Sequence, residues 1–383
     1  MNSYSTPRVF AVSCAGMGFF GVAMLSLGPI LGQLNALVQG ANSLPSTMSL
    51  GIILGTIIFG PVVERWGYKW LLIMSSVCLL AGIQGLATFA EIGSLHVSIF
   101  LVGLGGGVLN GETNALVSDI YDDGKRGGRL GLLGAFYCLG ALLWTLLNYY
   151  FTDYHLPLNC VSVVMAMFIV WSVFLSFPKA HAQTRLSWAS TIGLLKYPAL
   201  ILFALVFFFQ SGLEGITGSF TVSYLTTTVD MGQSAATLSM TWFMIGMLLG
   251  RLVLGYSIKT LKEVKTLYLY LFVALVSVVT LIAVPTTVGV YAATTLLGFG
   301  AGATFPVIIN FIAETFRSQA PTALSIAMFI GLCGQPTFNK AVGLAFDSAE
   351  YSMLPACMAI AVVAMIVLVP VSLKIAKSIK KQN

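Results

Sequence analysis

The chain has 383 residues, of which 57% are hydrophobic and only 8% charged, against about 25% charged in ordinary soluble domains. So few charges cannot cover a water-facing surface, and the net charge of +6 is explained by membrane topology rather than by nucleic acid. Six cysteines (Cys14, Cys78, Cys138, Cys160, Cys333, Cys357) lie in apolar stretches without a CxxC or metal-ligand spacing and read as small packing residues.

In chain order, apolar runs long enough to cross a bilayer as helices fall near 9–32, 43–63, 69–90, 95–119, 130–151, 157–177, 198–227, 234–258, 264–284, 287–315, 321–346 and 351–373. The first run is long and lacks a cleavage-like boundary, so no cleavable signal peptide is expected. Lysines and arginines favour the cytoplasmic side. With the N-terminus inside, all of the 19 except Lys340 fall on that side or at helix ends facing it. The opposite loops carry Glu91, Asp153, His155, Asp230 and Glu350. The expectation is an all-α integral membrane protein of twelve spans with both termini cytoplasmic.

The longest stretch between spans, 178–197, lies at the midpoint and separates two six-helix halves, 1–177 and 198–383, the second ending in a short basic tail. The halves echo each other. "GLGGGVLNGETNALVSDIY" (103–121) lies over "GFGAGATFPVIINFIAETF" (298–316) at a constant offset of 195, with Asp119 on Glu314. Glycines in the first run read as close helix packing, because no strand precedes them as a nucleotide loop would require. Parallel repeats of this kind place a substrate site near the bilayer midplane.

Between the second and third spans stands "GPVVERWGYKW" (60–70), dense in charge for this chain. Gly60, Glu64, Arg65, Gly67, Tyr68 and Lys69 resemble the signature of the major facilitator superfamily, with Glu64 where an Asp is usual. The resemblance implies the twelve-helix major facilitator fold in two pseudo-symmetric bundles, and a latch for the outward-facing state. Asp119 is implied as the partner of Arg65, and Arg251 and Glu314 belong to the matching region of the second half. "GETNALVSDIY", "SGLEGITGSFTVSYL" (211–225), "IGMLLGRLVLG" (245–255) and "FPVIINFIAETF" (305–316) further resemble the fucose/glucose/galactose–cation symporters. This branch implies uptake of a neutral sugar, coupled to a proton or to sodium, with Glu112 as the proton site. It implies a bacterial inner-membrane protein, not an enzyme, with no cofactor beyond the coupling ion and no nucleic-acid partner. A monomer is expected. The first span lacks the acid that fucose permease carries there, and Leu116 stands where its pattern has an Asn.

Apart from any family, buried charge is informative, because a carboxylate at a helix centre costs about 2.5–3.5 kcal/mol on insertion scales. Two acids lie well inside predicted spans, Glu112 and Glu214, and both are candidates for proton coupling. Gln210, Glu214, Thr217 and Thr221 recur at helical spacing on one face of the seventh span, a stripe suited to a polyhydroxylated ligand or to an interhelical hydrogen bond. Asn110 and Asn114 share a face of the fourth span while Glu112 points nearly opposite, so Glu112 is either a coupling acid or a protonated structural one. Tyr137, Trp144 and Asn148 in the fifth span, Trp242 in the eighth, Asn310 in the tenth, and Gln335 and Asn339 in the eleventh complete the candidate substrate set. Lys340 could snorkel outward, pair with Asp347 or hold an anion.

Three functions fit these residues. The first is a gradient-driven sugar symporter working by alternating access, and the second a proton-coupled exporter of drugs or metabolites. The third, a membrane enzyme or sensor, is disfavoured. His96, His155 and His181 form no triad or metal cluster.

Overall fold

A bilayer core offers no partner to backbone N–H and C=O groups, so long apolar runs must close their hydrogen bonds within helices. The computed structural model describes residues 4–121, 123–151, 153–178, 193–316, 320–347 and 351–380, and among them the regular structure is helical, without a strand. The first half contains α1 (Thr6–Leu25), the short α2 (Leu31–Leu37), α3 (Leu44–Thr88), α4 (Ile92–Ile120), α5 (Asp123–Tyr150) and α6 (His155–Val173). The second half contains α7 (Pro198–Thr227), α8 (Gln233–Leu261), α9 (Glu263–Ala283), α10 (Thr287–Ala301), α11 (Thr304–Thr315), α12 (Ala320–Leu332), α13 (Gly334–Asp347) and α14 (Leu354–Lys380).

Among the described residues, eleven stretches are long and apolar enough to cross a membrane. The remaining predicted span, 321–346, is covered by α12 and α13 together, each too short alone. Proline chemistry explains the break. Pro336 has no N–H for the carbonyl of Leu332, and the helix is interrupted at Cys333. Pro306 likewise withholds a donor from Gly302, and α10 stops at Ala301 before α11 begins at Thr304. In α3 the second and third spans run on through a kink at Gly67, whose φ of 76° and ψ of 169° are open to glycine at no steric cost.

The chain divides into two compact units, Met1–Gln183 with Gly232–Thr241, and Thr184–Met231 with Trp242–Asn383. The start of α8 groups with the first unit, where Gln233 Nε2 donates to the Pro29 carbonyl at 2.7 Å and the hydroxyls of Thr145 and Thr241 lie 2.7 Å apart. Most of the expected linker, residues 179–192, lies outside the described residues.

Each unit is built on the same close helix contacts. In the first, a Cβ on Gly103 would collide with the Met48 carbonyl, one on Gly51 with that of Phe100 and one on Gly105 with that of Ser75. In the second, the collisions are Gly298 with Phe243, Gly246 with Thr295 and Gly300 with Tyr270. Every pair maps onto its counterpart by the offset of 195. The repeat thus reaches beyond the two aligned segments into α3 and α8–α9. It extends to the kink as well: Lys262, at the position matching Gly67, has φ 64° and ψ 157°.

Candidate substrate and coupling site

In the second unit, polar side chains converge beside both helix breaks. Gln210 and Glu214 stand one turn apart on α7, and Gln210 Nε2 donates to Glu214 Oε1 at 2.7 Å and to the Ala301 carbonyl at 3.2 Å. Ala301 ends α10, where a broken helix leaves carbonyls short of intrahelical donors. Arg251 of α8 lies within electrostatic reach of Glu214, and its backbone passes Gly302, where a Cβ would come 3.4 Å from Arg251 N. From α13, Gln335 and Asn339 pack on Gly215. A Cβ there would fall 2.6 Å from Gln335 Cγ and 3.3 Å from Asn339 Oδ1, so a glycine next to Glu214 admits them. Gln210 is buried, as are Gln335 and Asn339, whereas Glu214 is partly exposed. Gln210 Oε1 and Thr304 Oγ1 have no hydrogen-bond partner among the described residues. The arrangement brings amide and carboxylate groups together with a guanidinium within electrostatic reach.

The remainder of the α7 stripe is turned elsewhere. Thr217 Oγ1 donates back to the Leu213 carbonyl at 2.6 Å. Thr221 is buried and lines a small gap with Ser277, Thr294 and Met358. Helical spacing identified one face; its Gln210–Glu214 end meets the Ala301 carbonyl and the amides of α13, whereas its Thr221 end packs against α9, α10 and α14.

Glu112 is fully buried in α4 of the first unit. Neither carboxyl oxygen completes a hydrogen bond among the described residues, although the backbone of Leu72 is close by. Two turns back along α4, Gly105 lies against Ser75 and Leu79 of α3, so Glu112 faces the same helix nearer its Gly67 kink. Tyr68 lies within electrostatic reach of Glu112, and its hydroxyl donates to Asp119 Oδ2 at 2.7 Å. Val108 and Leu116, one turn to either side of Glu112 on α4, belong to an apolar cluster with Val63 and Leu71. Asn110 and Asn114 share another, partly exposed face of α4, and Asn114 Nδ2 donates to the Asn110 carbonyl at 2.8 Å.

The other candidates scatter. Trp144 is fully buried, and its indole N–H donates to the Leu25 carbonyl at the end of α1, 2.8 Å away. Asn148 donates to the Trp144 carbonyl at 2.9 Å, and Tyr137 packs on Phe20 with ring centroids 5.5 Å apart. Trp242 stacks on Tyr291 at 6.0 Å. Asn310 lies with acids, donating to Glu263 at 2.8 Å and Glu314 at 3.4 Å. In the expected latch, Arg65 is exposed and Lys69 Nζ donates to the Val173 carbonyl at 2.6 Å, a cation at the C-terminus of α6 where the helix dipole favours it. The surroundings of Gly60 and the side chains of Glu64 and Asp347 lie outside the described residues, while Lys340 is exposed. Two contributions escaped sequence reasoning: Tyr68 as the donor to Asp119, and Arg251 as a neighbour of Glu214. Pro306 and Pro336 were the available signals that the spans around the site are broken.

Comparison with known proteins agrees with this architecture. The family model described as Major Facilitator Superfamily matches residues 9–337. A solved D-xylose-proton symporter superposes with a TM-score of 0.74 at 13% identity, covering 94% of this chain and 96% of its own. The nucleoside transporter NupG gives 0.74 at 14%, covering 97% and 99%. The E. coli fucose:proton symporter FucP gives 0.66 at 18%, covering 97% and 98%. A D-xylose transporter of Levilactobacillus brevis is 29% identical over 110 residues, 29% of this chain and 24% of that protein, so the aligned part spans about a quarter of that relative. The chain belongs to the Major Facilitator Superfamily: it is an integral membrane transporter of small molecules, not an enzyme.

Proposed function

We propose that the protein takes up a neutral monosaccharide by alternating access, driven by a proton gradient. The observation that carries the coupling half is the completely buried carboxyl of Glu112, which has no side-chain hydrogen-bond partner among the described residues and only the Leu72 backbone close by. A lone carboxylate without hydrogen bonds in an apolar interior is prohibitively costly, whereas the neutral acid is tolerable. Glu112 is therefore assigned the transported proton, with Tyr68 and Asp119 as the polar neighbours through which it exchanges. The substrate is assigned to Gln210, Glu214, Gln335 and Asn339, beside the interrupted helices that commonly flank transporter binding sites. Arg251 beside Glu214 leaves that cluster without an unbalanced positive charge, which supports a neutral ligand over a phosphate or carboxylate. The sugar–proton symporters among the matched structures and the partial D-xylose transporter match support the same substrate class.

The test is uptake of a labelled pentose and hexose panel into proteoliposomes under an inward proton gradient, then under a sodium gradient. Accumulation of one sugar, abolished by a protonophore, is the expected result. Accumulation under sodium alone refutes the assigned ion. Failure under both gradients, with transport of a nucleoside or another metabolite from the same vesicles, refutes the sugar.

A further inference from the structure

The first unit carries a cavity lined by none of the residues assigned to the substrate. It is a groove of about 660 Å³ between α1, α5 and α6, lined by apolar side chains including Cys14, Phe19, Phe136, Leu143, Val164 and Trp171. That volume lies within the about 300–1,000 Å³ of small-molecule sites. Its rim is open, with Leu143, Val164 and Met167 each at least half exposed. These helices are membrane-spanning stretches, so the medium at the rim is hydrocarbon.

One end of the groove is charged. Arg129 lies seven residues before Phe136 on α5, hence on nearly the same helical face. Its guanidinium carbon sits 5.1 Å from the ring centroids of both Phe10 and Tyr121, which meet edge to face at 5.5 Å. Arg129 also lies within electrostatic reach of Cys14, a lining residue. Such a cation–π cage fixes the charge without consuming the N–H donors that recognise phosphate. The start of α5 and the ends of α4 and α6 are on one side of the bundle, where Lys69 also meets Val173. Trp171 stands 40% exposed near that end of α6, an amphipathic ring of the kind found at headgroup depth.

We propose that this groove holds one acyl chain of an anionic phospholipid from the leaflet on the Arg/Lys-rich side, with Arg129 on its phosphate. Hydrocarbon walls, an exposed cation at one end and an interfacial tryptophan beside it match the three parts of such a lipid. A basic residue near the surface gives a preference of about fivefold for an anionic headgroup, which lipid merely surrounding the protein does not have.

The probe is acyl-chain-brominated phosphatidylglycerol, compared with brominated phosphatidylcholine, in vesicles holding the full-length protein. The Trp171 signal is isolated by difference from Trp171→Phe. Brominated phosphatidylglycerol is expected to quench Trp171 at about fivefold lower mole fraction, a preference lost in Arg129→Gln, largely kept in Arg129→Lys and erased by high salt in the wild type. Leu143→Phe with Val164→Phe, which fills the groove, is expected to weaken quenching by both lipids. Equal quenching by the two lipids in the wild type overturns the proposal, as does an undiminished preference in Arg129→Gln. Displacement by inorganic phosphate as effective as by the lipid also overturns it, because the site would then be an anion site. If Arg129→Gln fails to fold, the salt series on wild-type protein decides the headgroup question and the groove-filling variant the chain.

Discussion

Lys262→Gly should make the protein more stable. Lys262 has φ 64° and ψ 157°, in a region of backbone space essentially reserved for glycine, where other residues carry strain of about 1–3 kcal/mol. Its side chain makes no hydrogen bond to another described residue that demands lysine. The side chain is exposed, and the backbone bonds around it, Lys262 N to the Ile258 carbonyl and Thr266 N to the Lys262 carbonyl, both 3.0 Å, survive the change. Glycine gives back about 0.5–1 kcal/mol through the extra freedom of the unfolded chain. Taking the middle of each range, the net gain is about 1 kcal/mol, seen as a rise in the melting temperature of the detergent-purified protein. Gly67, with φ 76° and ψ 169°, supplies the reciprocal test, since Gly67→Lys imports the strain into the first unit and should lower the melting temperature by a similar amount. If Lys262→Gly proves neutral or destabilising while Gly67→Lys destabilises, the two kinks are not equivalent and the strain argument fails.

Two predictions concern the site. Glu112→Gln keeps the shape of the protonated acid that the proposed coupling requires, so folding and substrate exchange should persist while proton-driven accumulation falls to the equilibrium level; accumulation at the wild-type ratio would remove Glu112 from coupling. Removing one member of the Glu214–Arg251 neighbourhood leaves the other charge uncompensated. Arg251→Gln should therefore lower thermal stability more than the double variant with Glu214→Gln does, with a coupling energy of about 0.5–3 kcal/mol. Additive losses would show that the two charges act independently.

What the sequence disclosed and what it hid follow from where each constraint acts. Contacts between helix backbones tolerate only small residues, so Gly103 and Gly298 were visible as a repeat, and the collisions a Cβ would make at each are the cause of that pattern. Charge placement was legible for a similar reason, because a bilayer penalises every misplaced lysine or arginine. The kink at residue 262 was hidden, since the chain there spells Lys rather than Gly and accepts strain that no composition rule anticipates. Helical periodicity grouped Gln210, Glu214, Thr217 and Thr221 on one face but carries no information about the opposing surface, and the structure gives polar partners to one end of it and close packing to the other. Trp144 shows the same limit. An aromatic in a membrane helix reads more readily as packing than as a sugar platform, and no spacing foretold the 2.8 Å bond of its indole N–H to the Leu25 carbonyl. Glu112 reverses the case. Its burial was expected from sequence, yet the chemical argument rests on something no spacing encodes, that both carboxyl oxygens lack a hydrogen bond among the described residues. A structural acid would be expected to have found partners, because an unsatisfied buried polar group costs about 1–3 kcal/mol. Under the proposed function, the acid is kept in that setting because the proton it holds is used.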